Sequence, residues 1–291
     1  DMHAYRGHDE RRPPPLILGH EACGTVQDGE FAGKRVTLNP LVTCGTCEAC
    51  RAGRTNLCAD REIISMPPRQ GAFAEYLRIP ERNLIELPGG MDPAIAALSE
   101  PVATAWHAVG AGERHLWRTP ETTRALVLGG GAVGLSAALI LRSRGYNEIS
   151  VAETNPLRRE TAAQEKGLTI IDPIVEPAAE NSFDLIVDAV GGVNTRAAAS
   201  AAIKPGGVIV HIGLLEAEGG LDVRKMTLQE VTFVGTYTYT MADFRDTVAA
   251  LDAGELGELK WIEKRPLAEG AAAFRDLFEG RTGAAKIVLM P

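Results

Sequence analysis

The chain has no uncharged apolar run of the ~18 residues that a membrane-spanning helix requires. It is short of positive charge. Thirty Lys and Arg stand against thirty-eight Asp and Glu, a net charge of −8, with a pI near 5.4. Duplex nucleic acid or an anionic membrane surface is therefore a poor partner for the chain as a whole. Internal repeats and low-complexity segments are also lacking. The chain opens Asp1-Met2-His3, without an initiator Met or a signal-peptide pattern, and a cytoplasmic location is expected. The 291 residues are 45% apolar and 23% charged. That is a soluble globular composition, long enough for two domains and rich enough in apolar surface to offset the entropy of ordering.

Cysteine is absent from most of the chain. Of five, four fall at Cys44, Cys47, Cys50 and Cys58; Cys23 stands apart. An odd count argues against a secreted disulfide framework. The spacing Cys-x2-Cys-x2-Cys-x7-Cys points instead to a metal knot. Four thiolates close the coordination shell of Zn²⁺, so an ion there is structural rather than catalytic. Two local disulfides or an iron–sulfur cluster are the competing readings.

Residues 1 to about 90 carry short β-branched runs separated by turn signals, as in Thr25-Val26, Arg35–Leu38 and Tyr76–Ile79. They predict a mainly β unit. Asp92-Pro93 then opens an Ala-rich helical stretch. Beyond it, apolar segments at 125–129, 149–153, 169–172, 183–188, 207–212 and 231–236 alternate with helix-forming ones. Buried strands separated by helices imply α/β architecture, a doubly wound parallel sheet. Two more helical segments and a short strand, Lys286–Leu289, make up the tail.

A Gly-x-Gly-x-x-Gly runs through Gly129-Gly130-Gly131-Ala132-Val133-Gly134. It follows a predicted strand and opens a predicted helix, the context that makes it a dinucleotide-binding turn. Gly129 allows the turn, Gly131 admits a pyrophosphate, and Gly134 permits close helix–strand packing. The helix N-terminus attracts phosphate. Glu153, nineteen residues after Gly134, ends the next strand. There it accepts ribose hydroxyls and repels a 2′-phosphate, favouring NAD over NADP. Arg158 lies close by and keeps NADP open, and a merely structural glycine turn is the alternative. A third group comprises Gly19-His20-Glu21, the distant Glu100-Pro101, Asp1 and His3. His–Glu pairs bind metals in some turns and are structural in most, and spacing does not decide between them here.

Taken together, Leu18–Glu21, the four-cysteine lobe, Gln70–Tyr76, Ser99–Pro101 and the turn at 129–134 resemble the medium-chain, zinc-dependent alcohol and polyol dehydrogenases over the whole chain. The resemblance implies a GroES-like, mainly β catalytic domain at 1–101, a Rossmann domain at 102–237, and a return to the first domain at 238–291. It implies a catalytic zinc held by a cysteine, His20, and Glu100, with Glu21 an alternative or exchanging ligand. The family's cysteine precedes an Asp-x-His, and this sequence starts at that Asp. The β domain is therefore expected to be N-terminally incomplete, with the catalytic cysteine outside the sequence. Asp1 would orient His20, and His3 matches a proton-relay histidine or is simply a surface residue. Ile212 and Leu214 would flank the nicotinamide, with Thr236–Tyr239 beside it, and Lys286 would lie near the pyrophosphate. Glu100 in place of a cysteine resembles the polyol, sorbitol-type branch.

The function so implied is transfer of a hydride from a secondary alcohol or polyol to NAD, in a homodimer or homotetramer. A zinc-independent NADPH-dependent enone or quinone reductase, or a non-catalytic cofactor-binding relative, is the alternative.

Overall fold

The structure is a computed structural model that describes residues 1–7 and 9–291. Its first part is built of short pieces. Helix α1 (Met2–Tyr5) precedes strands β1 (Cys23–Thr25), β2 (Arg35–Leu38), β3 (Leu41–Val42), β4 (Glu62–Ile63) and β5 (Leu84–Glu86), with helix α2 (Glu48–Arg51) between β3 and β4. β1, β2 and β5 form an antiparallel sheet, and β3 pairs with β4. Tyr76–Ile79 is not a strand. Tyr76 is 74% exposed, so the run lacks a buried face, and Pro80 follows it directly.

The Ala-rich stretch forms two helices, α3 (Pro93–Ala96) and α4 (Ser99–Glu113). Asp92 caps the first, its carboxylate accepting from the Ala94 amide at 2.9 Å. Pro101 explains the break. Without an N–H, and with a ring that would strike a carbonyl one turn back, it is tolerated only in the first turn of α4. Glu100 thereby sits at a helix start, buried with the rest of that turn.

Strands β6 (Arg124–Leu128), β7 (Glu148–Ala152), β8 (Thr169–Ile171), β9 (Phe183–Asp188), β10 (Ile203–His211) and β11 (Thr232–Gly235) follow. Between them lie helices α5 (Ala132–Ser143), α6 (Pro156–Ala162), α7 (Val193–Ala202) and α8 (Val223–Leu228). All six strands are parallel, in the order β8-β7-β6-β9-β10-β11. The order reverses between β6 and β9, so a crevice opens at their carboxyl ends, the place where such sheets bind ligands. Strand β9 is buried at every position, as a central parallel strand must be.

Each face of the sheet has its own core. Val127, Val187 and Val210 pack with Val109, Leu139, Phe244 and Trp261 on one side; Leu126, Ile186 and Ile209 pack with Ala199 and Met226 on the other. After β11 the chain forms α9 (Met241–Asp252), β12 (Ile262–Pro266), α10 (Gly270–Phe278) and β13 (Lys286–Met290), with β12 and β13 paired in parallel. Phe274 of α10 packs on Tyr5 and Phe73, with ring centroids 5.1 and 5.7 Å away. The tail thus meets the first part of the chain. Among the described residues, no helix is long and apolar enough to cross a membrane.

Candidate active site

The turn after β6 has the geometry that its glycines require. Gly129 adopts φ +99°, and a Cβ there would lie 2.6 Å from Val190 Cγ2. A Cβ on Gly134 would lie 1.9 Å from the Gly129 carbonyl oxygen, so α5 approaches the turn as closely as backbone permits. A Cβ on Gly131, by contrast, would meet open space. Ala132 and Val133 form the first turn of α5.

Glu153 follows β7 and is 7% exposed. Its Oε2 accepts from the Gly130 amide at 2.9 Å and its Oε1 from the Asn155 amide at 2.7 Å, so the carboxylate is held against the glycine turn. Arg158 lies in the first turn of α6, its Nε buried and without an acceptor among the described residues. Ile212 packs partly buried against the larger core, and Leu214, 67% exposed, stands on the loop beyond β10.

His20, Glu21 and Glu100 come together although about eighty residues separate them. One ligand atom of each lies within 4.8 Å of the others. Asp1 stands beside the ring: its Oδ2 lies 3.3 Å from His20 Nδ1, while its Oδ1 accepts from the Gly19 amide at 3.0 Å and the Ser65 hydroxyl at 3.3 Å. Glu21 is ion-paired with Lys286 of β13. Glu100 accepts the Tyr239 hydroxyl at 3.0 Å, and Tyr239 is fully buried. His3 lies exposed on α1.

Burial shapes the charges. It lowers the pKa of His20, favouring the neutral imidazole that metals bind. It raises that of Glu100, and the nearby Glu21 charge adds to the rise. Burial also works to raise Glu21, but Lys286 and His20 hold it below the ordinary carboxylate range. Lys286 balances Glu21, and the imidazole and Glu100 present further donor atoms within 4.8 Å of it. An imidazole nitrogen and carboxylate oxygens form a donor set that Zn²⁺ accepts, so these residues fit the implied metal.

The cysteine knot fits one as well. All four Sγ atoms lie within 4.8 Å of one another. Cys44 Sγ is 3.9 Å from Cys50 Sγ and 3.6 Å from Cys58 Sγ. Zn–S bonds of about 2.3 Å give tetrahedral S–S edges of about 3.8 Å, whereas a disulfide needs about 2.05 Å. Backbone N–H groups of Thr46 and Cys47 pull the Cys44 thiol down to about 6, toward the thiolate.

One connection joins these parts, and spacing alone did not reveal how. Residues 236–241 leave the carboxyl end of β11 and run across both centres. The Tyr237 carbonyl accepts from Asn56 at 2.9 Å, and Arg61 lies 4.7 Å over the Tyr237 ring. Two residues on, Tyr239 reaches Glu100, and Asp243 of α9 meets His107 of α4 at 2.9 Å. This strap sets the His20 cluster beside the ends of the parallel strands. A tyrosine four residues past a strand end carries no motif that would have marked its hydroxyl for Glu100.

Comparison with known proteins agrees with this geometry. Residues 1–89 match the family described as alcohol dehydrogenase GroES-like domain, and residues 132–253 match zinc-binding dehydrogenase. The chain is 32% identical to L-galactonate-5-dehydrogenase of Escherichia coli over 297 residues, 97% of this chain and 85% of that one. It is also 32% identical to sorbitol dehydrogenase of Bacillus subtilis over 241 residues, 77% and 67% of the two chains. Alcohol dehydrogenase TADH from Thermus sp. ATN1 superposes with a TM-score of 0.90 at 27% identity, covering all of this chain and 88% of that one.

Proposed function

We propose a working assignment from the premise that this chain belongs to the zinc-dependent alcohol and polyol dehydrogenase family, GroES-like domain plus Rossmann domain. It is an NAD(P)-dependent zinc alcohol or polyol dehydrogenase. The domains take the boundaries 1–101, 102–237 and 238–291. One observation carries the assignment of the site: His20, Glu21 and Glu100 bring one ligand atom each within 4.8 Å of the others, next to the strand ends where a nicotinamide would lie.

When bound by His20 and Glu100, with Glu21 as exchanging ligand, Zn²⁺ supplies Lewis-acid polarisation of the substrate hydroxyl oxygen. A bound nicotinamide cofactor would supply the hydride acceptor. The protein's own groups do the positioning. Asp1 fixes the His20 ring, Lys286 restrains Glu21, and Tyr239 fixes Glu100. The N-terminus of α5, at Gly131, Ala132 and Val133, would hold the pyrophosphate, with Gly129 and Gly134 allowing the close approach. Glu153 accepts ribose hydroxyls and sets a preference for NAD, while Arg158 is the residue that would favour a 2′-phosphate. Ile212 and Leu214 would flank the nicotinamide, and Lys286, paired with Glu21, would lie toward the cofactor phosphates. His3 relays the released proton to solvent. Cys44, Cys47, Cys50 and Cys58 hold a structural zinc. A cytoplasmic homodimer or homotetramer completes the assignment, with the exposed edge of β11 the natural pairing surface.

The similarity to sorbitol and L-galactonate dehydrogenases directs the substrate toward polyhydroxylated secondary alcohols. The test is a screen of NAD reduction over sugar alcohols and sugar acids, repeated with His20→Ala. Turnover should vanish in the variant while NADH binding, followed by its fluorescence, persists. Unchanged turnover would refute the metal role.

A further inference from the structure

The loops after β9 and β10 leave neighbouring strand ends, on the same side of the point where the sheet order reverses. They are fastened to each other. The Leu215 amide donates to the Val190 carbonyl at 3.2 Å, and the Glu216 amide to the Gly191 carbonyl at 3.0 Å. Their main chains touch. A Cβ on Gly191 would lie 2.1 Å from the Gly213 carbonyl oxygen, and one on Gly213 would lie 2.0 Å from the Val190 carbonyl carbon. Asp188, fully buried at the end of β9, holds the first loop. Its Oδ1 accepts from the Val190 and Gly191 amides at 3.0 and 2.8 Å.

Arg196, early in α7, locks the second loop onto the first. It is only 7% exposed. Its Nε donates to the Gly219 carbonyl at 2.5 Å, its Nη1 to the Gly191 and Glu216 carbonyls at 2.9 Å each, and its Nη2 to the Glu218 carbonyl. Four of the five N–H donors of a guanidinium thus end on main-chain carbonyls of these two loops. The Glu216 carboxylate returns the contact, accepting from the Val193 amide at the start of α7 at 2.6 Å. Residues 214–219 are all exposed, so the second loop has no core of its own. What orders it is the guanidinium and the Glu216 clasp.

The glycine turn after β6 and Glu153 after β7 lie on the other side of the reversal. On the NAD(P)-dependent assignment they take the pyrophosphate and the adenosine ribose. The nicotinamide half then crosses to the ends of β9 and β10. A wall that is ordered beforehand spares a ligand the entropy of ordering it. We propose that Arg196 is a positioning residue that holds the 214–219 loop in place for the nicotinamide half of the cofactor, and that it acts on the affinity for that half alone. The proposal rests on the assignment above.

The experiment compares NADH, titrated by its fluorescence, with AMP, titrated by calorimetry, on the full chain. The proteins are the parent, Arg196→Met, Arg196→Lys and Glu216→Ala. Arg196→Met keeps the apolar stem and should weaken NADH by about tenfold or more. AMP, which lacks the nicotinamide half, should move by less than about twofold. Arg196→Lys reaches fewer carbonyls and should fall between. Glu216→Ala opens the clasp from its other end and should weaken NADH, to a smaller extent, without moving AMP. Hydrogen exchange should rise at least about tenfold in peptides spanning 213–222 and stay at parent rates in those spanning 129–143. Equal losses for NADH and AMP, an unchanged NADH affinity, or unchanged exchange at 213–222 overturns the proposal. A parent that binds neither nucleotide overturns the functional assignment, and the proposal with it. Should Arg196→Met fail to fold, Arg196→Lys and Glu216→Ala decide: a loss confined to NADH sustains the proposal and an equal loss overturns it.

Discussion

Replacing Tyr239 by Phe removes one hydroxyl and nothing else, since the ring keeps its place 5.4 Å from Phe244. The hydroxyl is fully buried and donates to Glu100 Oε1 at 3.0 Å, and Glu100 is itself only 9% exposed. No other donor reaches that oxygen among the described residues. A hydrogen bond to a charged group contributes about 1.5–3 kcal/mol, and a buried acceptor left without its donor cannot recover it from water. The metal-free variant should therefore melt about 3–6 °C below the parent. With metal the effect should be larger in affinity. Groups that orient metal ligands typically change binding by about 10–100-fold, so the ion at His20 should bind Tyr239→Phe that much more weakly. Zinc competition against a chromogenic chelator resolves two classes of site, and only the weaker one should shift. The absorption of a Co²⁺ ion at the same site should change with it, while the cysteine-bound ion stays as it was. Equal zinc affinity and an equal melt would show that the Tyr239 contact does not hold Glu100, and the account of the strap would be wrong.

Four other outcomes are expected. Gly134→Ala should weaken NADH binding by at least about tenfold, because its Cβ cannot coexist with the Gly129 carbonyl 1.9 Å away; fluorescence titration reads this directly, and parent-like affinity would contradict the packing. Cys47→Ser should lower the melting temperature and release one zinc per chain without a proportionate loss of initial rate in freshly prepared enzyme. Glu153→Gln should reduce the NAD-to-NADP ratio of kcat/KM by about tenfold, as the negative charge that repels a 2′-phosphate is lost; an unmoved ratio would place cofactor choice elsewhere. Burial works to raise Asp243, but hydrogen bonds from His107 and Thr240 bring it from 3.8 to about 2. Its folded value lies below its unfolded one, so its contribution of about 2 kcal/mol is complete above pH 4 and fades as pH falls from 4 toward 2. Denaturant melts of Asp243→Asn should show that deficit at pH 6 and a shrinking one on acidification. A deficit independent of pH would point to packing instead.

Features closed within a short stretch of chain were readable from the sequence. Four cysteines spaced over fifteen residues fold back on one another because the linking loops are too short to do otherwise. The glycine turn was legible because strand, turn and helix are consecutive, and each glycine answers a local backbone demand. Alternation of apolar and helix-forming segments likewise sufficed for the parallel sheet, since burial on both faces imposes its own pattern. The run at Tyr76–Ile79 misled because β-branched composition without a buried face does not make a strand.

The sequence by itself therefore determined the fold class, the cysteine knot and the dinucleotide turn. The family resemblance named Glu21, Glu100 and Asp1 beside His20, but only the tertiary structure decided how they meet and what holds them. Glu100, Tyr239 and Lys286 arrive there from a helix start, a crossing strap and the last strand. Their meeting depends on how α4 and the tail pack against the rest of the molecule. Sequence spacing encodes geometry only while the intervening chain is short and regular. Across eighty or more residues, the packing of whole elements sets the direction in which a buried polar group points, and no local periodicity records it.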